Sequence, residues 1–264
     1  MTRWKPAPRS LIGMVHLPAL PGTPRHELEM KDIVAQAAAE TRSLVAAGFD
    51  AVLVENMHDV PYLRRTVGSE IVAAMAVAVR AVVDAAGEIP VGVQVLAGAN
   101  REAVSIASAT GARFIRAEGF AYAAVADEGL LEEADAGPLL RHRRAIGAED
   151  VAIWTDVRKK HSAHAITGDL MLGDLVAGHG FMGSDAVIIT GSHTGQAVSV
   201  HDLEAARLAG DLPVAVGSGA TAETLPQLLE HADAVIVGSA IKMDAHWANP
   251  LDPDRIAAFI RARG

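Results

Sequence analysis

The sequence lacks cysteine altogether, and positive charge is scarce in it. Among its 264 residues, 23 lysines and arginines stand against 32 aspartates and glutamates, a formal net charge of −9. The absence of thiols excludes disulfides, thiolate metal sites and a cysteine nucleophile, and it fits a reducing, cytoplasmic compartment. The acidic balance argues against nonspecific nucleic-acid binding, because such binding depends on neutralising phosphates.

Long hydrophobic runs are also missing. The nearest candidate, residues 170–181, is interrupted by glycine, aspartate and histidine and is too short for a membrane span. Near the start, residues 11–20 are broken by Gly13, His16 and Pro18, unlike the apolar core of a secretory signal. We therefore expect a protein with no integral membrane segment.

Short β-branched segments alternate with longer, alanine-rich amphipathic segments. The pattern predicts strands at residues 11–16, 51–55, 91–96, 114–116, 151–156, 186–190, 214–216 and 234–237. It predicts helices at residues 31–47, 69–86, 101–110, 138–146, 170–182, 200–208, 222–229 and 254–263. Eight alternations indicate an α/β protein with a single (β/α)8 TIM barrel over residues 1–264. A doubly wound open sheet, which shows the same alternation, is the alternative.

Several joints between a predicted helix and the next strand repeat one phrase. Residues 46–52 read AAGFDAV, residues 182–187 read MGSDAV and residues 231–235 read HADAV. The glycine suits a left-handed helix C-cap, and the aspartate begins a buried strand. The phrase supports repeated helix–strand units.

Polar side chains follow every predicted strand. The active sites of (β/α)8 enzymes gather at the carboxyl ends of the strands, and interior apolar strands do not otherwise need this polarity. We therefore expect one site built from His16, Glu55, Asn56, Gln94, Arg116, Glu118, Asp156, Thr190, Gly217, Ser218, Gly219, Gly238 and Ser239.

Two matched glycine-rich turns follow the last two strands, VGSGAT at residues 216–221 and VGSAIK at residues 237–242. Glycine lets the backbone approach an anion, and a following helix start offers unpaired N–H groups. We predict a phosphate site here that uses Gly217, Ser218, Gly219, Gly238 and Ser239. Lys242 would add a direct charge. The alternative is that these glycines only permit tight turns.

The segment after strand six has similar chemistry. Thr190, Gly191 and Ser192 would add hydroxyl and amide donors to the wall of a substrate site. A plain flexible loop is the equal alternative.

Acid/base chemistry is predicted for the carboxylates that end strands two and five. Asp156 and Glu55 are the candidate proton carriers, because carboxylates near apolar walls have raised pKa values. Arg116 would counter developing negative charge, and His16 and Asn56 would orient the substrate. The alternative is that one carboxylate forms an ion pair with Arg116 or Lys159.

Metal chemistry has little support. Metal-dependent hydrolase barrels place two histidines two positions apart on strand one, and here position 14 is methionine. His161 and His164 would fit one helical turn as another pair, which keeps a metal-dependent hydrolase as a weaker alternative. We predict no metal and no cofactor.

The stretch from Ala117 to Gly137 is the one long irregular segment. Loops of this length inside a compact domain are uncommon and often functional. We expect a lid whose aromatics, Phe120 and Tyr122, shield a ligand while its acids stay in water. A contact with a neighbouring subunit is the alternative.

The run GMVHLPALPGTP at residues 13–24 resembles the BtpA family, which includes photosystem I biogenesis proteins and an SgcQ-like group labelled as nucleosidases. The likeness continues in order along the chain, in VEN (54–56), FIR (114–116), TDV (155–157) with Lys160 and His161, ITGS (189–192), VGSG (216–219), VGS (237–239) and Asn249-Pro250. The resemblance implies a barrel of the ribulose-phosphate-binding type.

These observations lead to one functional expectation. We predict an enzyme acting on a small phosphorylated sugar or nucleoside-like metabolite, by acid/base isomerisation or glycosidic cleavage. The alternative is a noncatalytic assembly or biogenesis factor that has kept the barrel. The sequence leaves the substrate and homo-oligomerisation open.

Overall fold

The computed structural model describes residues 2–191 and 198–264, and it confirms the (β/α)8 barrel. Eight parallel strands pair in chain order, and the last strand closes on the first. They are β1 Ser10–His16, β2 Ala51–Glu55, β3 Val91–Gln94, β4 Phe114–Ala117, β5 Ala152–Asp156, β6 Ala186–Ile189, β7 Val214–Val216 and β8 Ala234–Val237. Barrel closure excludes the open-sheet alternative.

Eight α-helices follow the strands in the described part of the chain. They are α1 Met30–Ala47, α2 Ser69–Ala86, α3 Asn100–Thr110, α4 Ala136–Ala145, α5 Leu172–Phe181, α6 Val200–Leu208, α7 Leu225–His231 and α8 Pro253–Arg263. Their apolar stripes pack on the outward side chains of the strands, and Met75, Val79 and Val82 of α2 are fully buried there. The apolar residues that recur with helical periodicity in the sequence are therefore the residues that face the core.

The repeated joint phrase has a structural explanation. Gly48 ends α1 with φ of 94°, the left-handed conformation that the phrase predicted. The carboxylates of Asp50, Asp185 and Asp233 each accept a 2.8 Å hydrogen bond from a backbone N–H near the start of the strand before their own. Because the first amides of parallel strands lack ladder partners, these aspartates satisfy buried donors.

Because side chains alternate along each strand, every second residue points into the barrel, and these residues form a separate, smaller hydrophobic core. Its buried members include Met14, Leu53, Phe114, Trp154 and Ile188. At the amino-terminal end of the barrel, Trp4 stacks on Trp154 at a centroid distance of 4.9 Å and lies 4.7 Å from Phe114. That end of the barrel is therefore apolar and filled.

The segment after β4 forms an ordered hairpin. Strands Ala124–Ala126 and Gly129–Leu131 pair antiparallel, and Ser162–Ala163 adds a third strand beside them. Neither these strands nor their pairing was predicted, because short alanine-rich segments carry no clear alternation.

The expected lid differs from this hairpin in two respects. Phe120 is fully buried and packs near His179, at a ring-centroid distance of 6.0 Å. The Glu128 carboxylate is buried as well, 2.7 Å from the Lys159 ammonium. The aromatic Phe120 therefore anchors the segment, and not all of its acids stay in water.

No helix in the described ranges has the length and hydropathy needed to cross a membrane.

Candidate active site

Six polar side chains form a buried ring inside the carboxyl-terminal end of the barrel, which we call the mouth ring. Five of them continue the inward-facing alternation of their strands one layer above the apolar interior, and Glu118, two residues after Arg116, lies one layer further out. All are at most 7% exposed: His16, Glu55, Gln94, Arg116, Glu118 and Asp156. The four predicted catalytic residues therefore lie at one end of the barrel.

Arg116 and Asp156 form a bidentate ion pair across neighbouring strands. Arg116 Nε lies 2.9 Å from one carboxylate oxygen of Asp156, and Nη2 lies 2.8 Å from the other. The remaining nitrogen, Nη1, lies 3.5 Å from the carbonyl oxygen of Gly217. A Cβ at Gly217 would approach Arg116 Nη2 to 3.2 Å and the Ile188 side chain to 2.5 Å. Glycine at position 217 therefore leaves room for the guanidinium group of Arg116.

His16 and Glu55 form a second pair. His16 Nε2 lies 3.5 Å from Glu55 Oε2, and Nδ1 lies 3.2 Å from the carbonyl oxygen of Trp247. Burial, together with the charge of Lys242, lowers the pKa of His16 to about 3. The imidazole is therefore neutral near pH 7. Because a carbonyl only accepts, Nδ1 carries the proton and Nε2 presents a lone pair to Glu55.

Glu55 is suited to hold the proton in this pair. Burial raises the pKa of Glu55 above its ordinary value, and Arg116 opposes that shift without cancelling it. A protonated Glu55 would face the lone pair on His16 Nε2. Glu55 can therefore donate a hydrogen bond to His16 and exchange its proton with a bound molecule.

Glu118 links the mouth ring to the hairpin after β4. Its carboxylate accepts a 3.2 Å hydrogen bond from Gln94 and lies 3.4 Å from Lys159, which also pairs with Glu128. Burial raises the pKa of Glu118 to about 7, although Lys159 acts in the opposite direction. Glu118 lies two residues after Arg116. Because side chains alternate along a strand, the sequence predicts that Glu118 also points into the barrel.

Several backbone amides in the glycine turns after β7 and β8 have no acceptor among the described residues. Within the described residues, the N–H groups of Ser218, Gly219 and Ala220 donate no hydrogen bond, and neither do those of Ser239 and Ala240. Gly219 has φ of 78°, a conformation that favours glycine. Helix α7 begins only at Leu225, so a loop rather than a helix start follows β7.

Gly238 lies directly beside the mouth ring. A Cβ there would lie 3.3 Å from His16 Cε1 and 3.2 Å from Met14 Cγ. The free amides after β8 therefore lie next to the His16–Glu55 pair, at the same barrel end.

Two predicted binding residues are engaged within the protein. Asn56 donates to Asp59 at 2.8 Å and accepts from the backbone of Leu96 at 2.8 Å, so its side chain fixes two loops. Lys242 is 2% exposed, and its Nζ lies 3.4 Å from Glu40 on α1. The charge of Lys242 acts on His16 through space.

The segment after β6 is described in part. Thr190 donates a 2.7 Å hydrogen bond to the carbonyl oxygen of Arg158, and Gly191 is buried. The predicted contribution of Ser192 lies outside the described residues.

A cleft of about 840 Å³ lies between the hairpin and the segment after β5. Thr190, Gly191 and Lys159 line it, whereas none of the four predicted catalytic side chains appears among its described walls. The cleft therefore borders the mouth ring without containing it.

Metal ligands do not converge in the described ranges. Histidine, aspartate and glutamate side chains there form no group of three that could hold an ion. His164 Nε2 lies 3.0 Å from the carbonyl oxygen of Lys159.

Sequence reasoning missed two members of this region. Lys160 follows β5, but nothing in its spacing distinguished it from a surface lysine. Lys159, expected as a possible partner of Glu55 or Asp156, pairs with Glu118 and Glu128 instead. Trp247 lies in the connection before α8, and its carbonyl fixes the imidazole of His16. No sequence signal identifies a backbone acceptor of this kind.

With this geometry established, comparison with known proteins identifies the family. The chain matches the sequence model of the BtpA family over residues 7–263. It belongs to the BtpA family. The photosystem I biogenesis protein BtpA of Synechocystis is 36% identical over 96% of this chain and 87% of its own length. An uncharacterised mitochondrial protein of Caenorhabditis elegans is 43% identical over 95% of this chain and 91% of its own.

Solved structures support the fold. The chain resembles 3-hexulose-6-phosphate synthase with a TM-score of 0.58 and 16% identity, covering 96% of this chain and 99% of that one. It resembles the geranylgeranylglyceryl phosphate synthase of Thermoplasma acidophilum, solved with its substrate sn-glycerol-1-phosphate, with a TM-score of 0.58 and 14% identity, covering 96% and 92%. At such identities the likeness concerns the barrel alone.

Proposed function

We propose that this BtpA-family protein is an enzyme acting on a small phosphorylated metabolite of the sugar or nucleoside class. The phosphate would bind the backbone amides after β7 and β8, and Glu55, oriented by His16, would transfer protons at the reacting carbon. The observation that carries the proposal is the position of the turn after β8, whose Gly238 lies against His16 of the His16–Glu55 pair.

The amides suit a phosphate because they are donors that find no acceptor in the described part of the chain. Five N–H groups on two adjacent loops supply positive partial charge, and glycine at positions 217 and 238 keeps side chains away. The named phosphorylated ligand of the Thermoplasma synthase agrees with this class of ligand. Ser218, Gly219 and Ser239 are the proposed contacts, and Thr190 and Gly191 would border the remainder of the ligand. Lys242 would act through its charge.

In this proposal Glu55 rather than Asp156 transfers the proton. Both oxygens of Asp156 already accept hydrogen bonds from Arg116, the ion-pair alternative left open by the sequence. Asp156 thus holds the guanidinium, whose positive charge would stabilise an enolate or alkoxide forming in the mouth. Glu55, whose partner among the described residues is a neutral imidazole, can give up and regain its proton during isomerisation or glycosidic cleavage.

The relationship to the Synechocystis biogenesis protein favours a second function, that of a noncatalytic assembly factor. A barrel kept only as a scaffold has no use for buried charges, because each one costs several kcal/mol of desolvation unless it is paired. The mouth ring therefore favours the enzyme.

Thermal unfolding with inorganic phosphate, phosphosugars and unphosphorylated nucleosides tests the proposal. Phosphorylated compounds should raise the Tm, since a ligand at a hundred times its Kd stabilises the fold by about 2.7 kcal/mol. Gly219→Asp should abolish this shift, because a carboxylate would face the anion. Gly219→Asn is the matched control, with the same shape and no charge, and it should keep part of the shift. Equal shifts for wild type and Gly219→Asp would contradict the proposal.

A further inference from the structure

The cleft between the hairpin after β4 and the segment after β5 is only partly used by the proposed function, in which Thr190 and Gly191 border the ligand. Its volume of about 840 Å³ lies within the range of small-molecule sites, roughly 300–1,000 Å³. A ligand group larger than a single phosphate therefore has room there.

The cleft adjoins both the phosphate turns and the mouth ring. Thr190 forms part of its wall, and a Cβ at Gly217 would lie 2.8 Å from Thr190 Cγ2. Lys159 is another wall residue, and its ammonium lies 3.4 Å from the carboxylate of Glu118. A molecule whose phosphate binds after β7 can therefore extend past Thr190 and place its other end in the cleft.

Arg158 is the wall residue that distinguishes this cleft. It is half-buried, and its Nη2 donates a 3.3 Å hydrogen bond to the carbonyl oxygen of Leu170. Its Nε is buried without an acceptor in the described ranges, and the guanidinium forms no ion pair with a carboxylate there. Buried polar groups in proteins normally have a partner, so the unpaired donor in a cavity wall indicates a ligand.

The backbone around Arg158 is fixed on two sides. Its carbonyl oxygen accepts a 2.7 Å hydrogen bond from Thr190 Oγ1, which ties the segment after β5 to the end of β6. The amide of Val157 donates to the carbonyl oxygen of Ile188 at 3.1 Å. With the guanidinium also held at Leu170, little conformational freedom remains to be lost when a ligand binds.

The other described walls favour an anion over a flat apolar group. Two histidines line the cleft together with Arg158 and Lys159, and no phenylalanine, tyrosine or tryptophan lies among the described walls. Two acids also line it, but Asp127 is exposed between the two hairpin strands. Asp202 lies in the first turn of α6, where the helix N-terminus offsets its charge.

We propose that the cleft is a second anion subsite, in which Arg158 binds a carboxylate or phosphate at the far end of the substrate. An arginine fork suits both groups because its parallel N–H donors meet two oxygens at once. This inference rests on the proposed function and narrows its substrate class to phosphorylated metabolites that carry a second anionic group. An uncharged hydroxyl or base at that end would leave the guanidinium without a counter-charge.

Isothermal titration calorimetry with three probes tests the subsite. Glucose 6-phosphate carries one anionic group, 6-phosphogluconate adds a carboxylate and fructose 1,6-bisphosphate adds a second phosphate. At about 0.15 M ionic strength, at least one doubly anionic probe should bind about tenfold tighter than glucose 6-phosphate, the gain expected from a hydrogen bond to a charged group. The probe that gains affinity identifies the second group as a carboxylate or a phosphate.

Variants of Arg158 assign this preference to the cleft. Arg158→Met should remove the preference and leave the affinity for glucose 6-phosphate unchanged, because only the charged end of the side chain is lost. Arg158→Lys keeps the charge without the planar fork and should recover part of the preference. Arg141→Met is the matched control, since it makes the same change of net charge at an exposed arginine of α4, and it should keep the full preference.

The outcomes separate the two proposals. If glucose 6-phosphate binds as tightly as both doubly anionic probes, the subsite is overturned and the proposed function stands. A preference that survives in Arg158→Met also overturns the subsite, because the second group would then bind elsewhere. If none of the three probes binds, both proposals fail.

Discussion

The two ends of this barrel are filled in opposite ways. At the amino-terminal end, Trp4, Phe114 and Trp154 stack into an aromatic plug. At the carboxyl-terminal end, the same strands bury six polar or charged side chains, each at most 7% exposed. The plug contributes stability by removing apolar surface from water. The mouth ring must offset the desolvation of its charges and adds little net stability, so its retention points to chemistry.

The largest effect should come from removing the central cation of the mouth ring. Arg116→Met leaves the Asp156 carboxylate buried without its partner, which should lower the free energy of unfolding by about 3–5 kcal/mol. Chemical denaturation measures this loss, and thermal shift with phosphosugars measures the accompanying loss of binding. Arg143→Met is the control, because Arg143 also pairs with a carboxylate, Asp185, but outside the mouth.

The control should behave differently in both measurements. Asp185 keeps its contacts to Arg3 and to the Ile153 amide, so Arg143→Met should lose less stability and retain ligand binding. A loss below about 1 kcal/mol for Arg116→Met, as for an exposed pair, would mean that this ion pair is not desolvated.

The second prediction concerns pH. The folded-state pKa of Glu118 is raised to about 7 from its ordinary 4.5, so the folded protein holds this proton more tightly than the unfolded chain. Its contribution to stability is fully present below about pH 4.5 and is lost as the pH rises through 7, amounting to at most about 3 kcal/mol.

Glu118→Gln removes this pH-dependent contribution to the free energy of unfolding. The variant should therefore gain stability relative to wild type as the pH rises from 5 to 8. Urea denaturation of both proteins across this range measures the difference and cancels the opposite contribution of His16. A constant difference between the two proteins would show that Glu118 does not titrate in this window.

The smallest effect should come from the plug. Trp4 is half-buried, so Trp4→Ala should cost about 2 kcal/mol, less than a fully buried aromatic. Trp4→Phe should restore most of the loss by keeping the stacking. Neither variant should change ligand-induced thermal shifts, and a lost shift would mean that the two ends of the barrel are coupled.

The barrel could be predicted because its pattern is local. Alternation within each strand and the glycine and aspartate joints identify eight units, and the same alternation places His16, Glu55, Arg116 and Asp156 in one ring. The engagement of Asn56 with Asp59, or of Lys242 with Glu40, depends on how distant loops and helices pack, which periodicity does not encode. The hairpin was missed for the same reason, since its third strand comes from a segment after β5.

The most direct test of the account is a crystal structure of the protein grown with inorganic phosphate or a phosphosugar. The account predicts a tetrahedral anion within about 3 Å of the amides of Ser218–Ala220 and Ser239–Ala240, on the side of Gly238 that faces His16. Amides that donate to other protein atoms, with the anion absent or bound elsewhere, would contradict it.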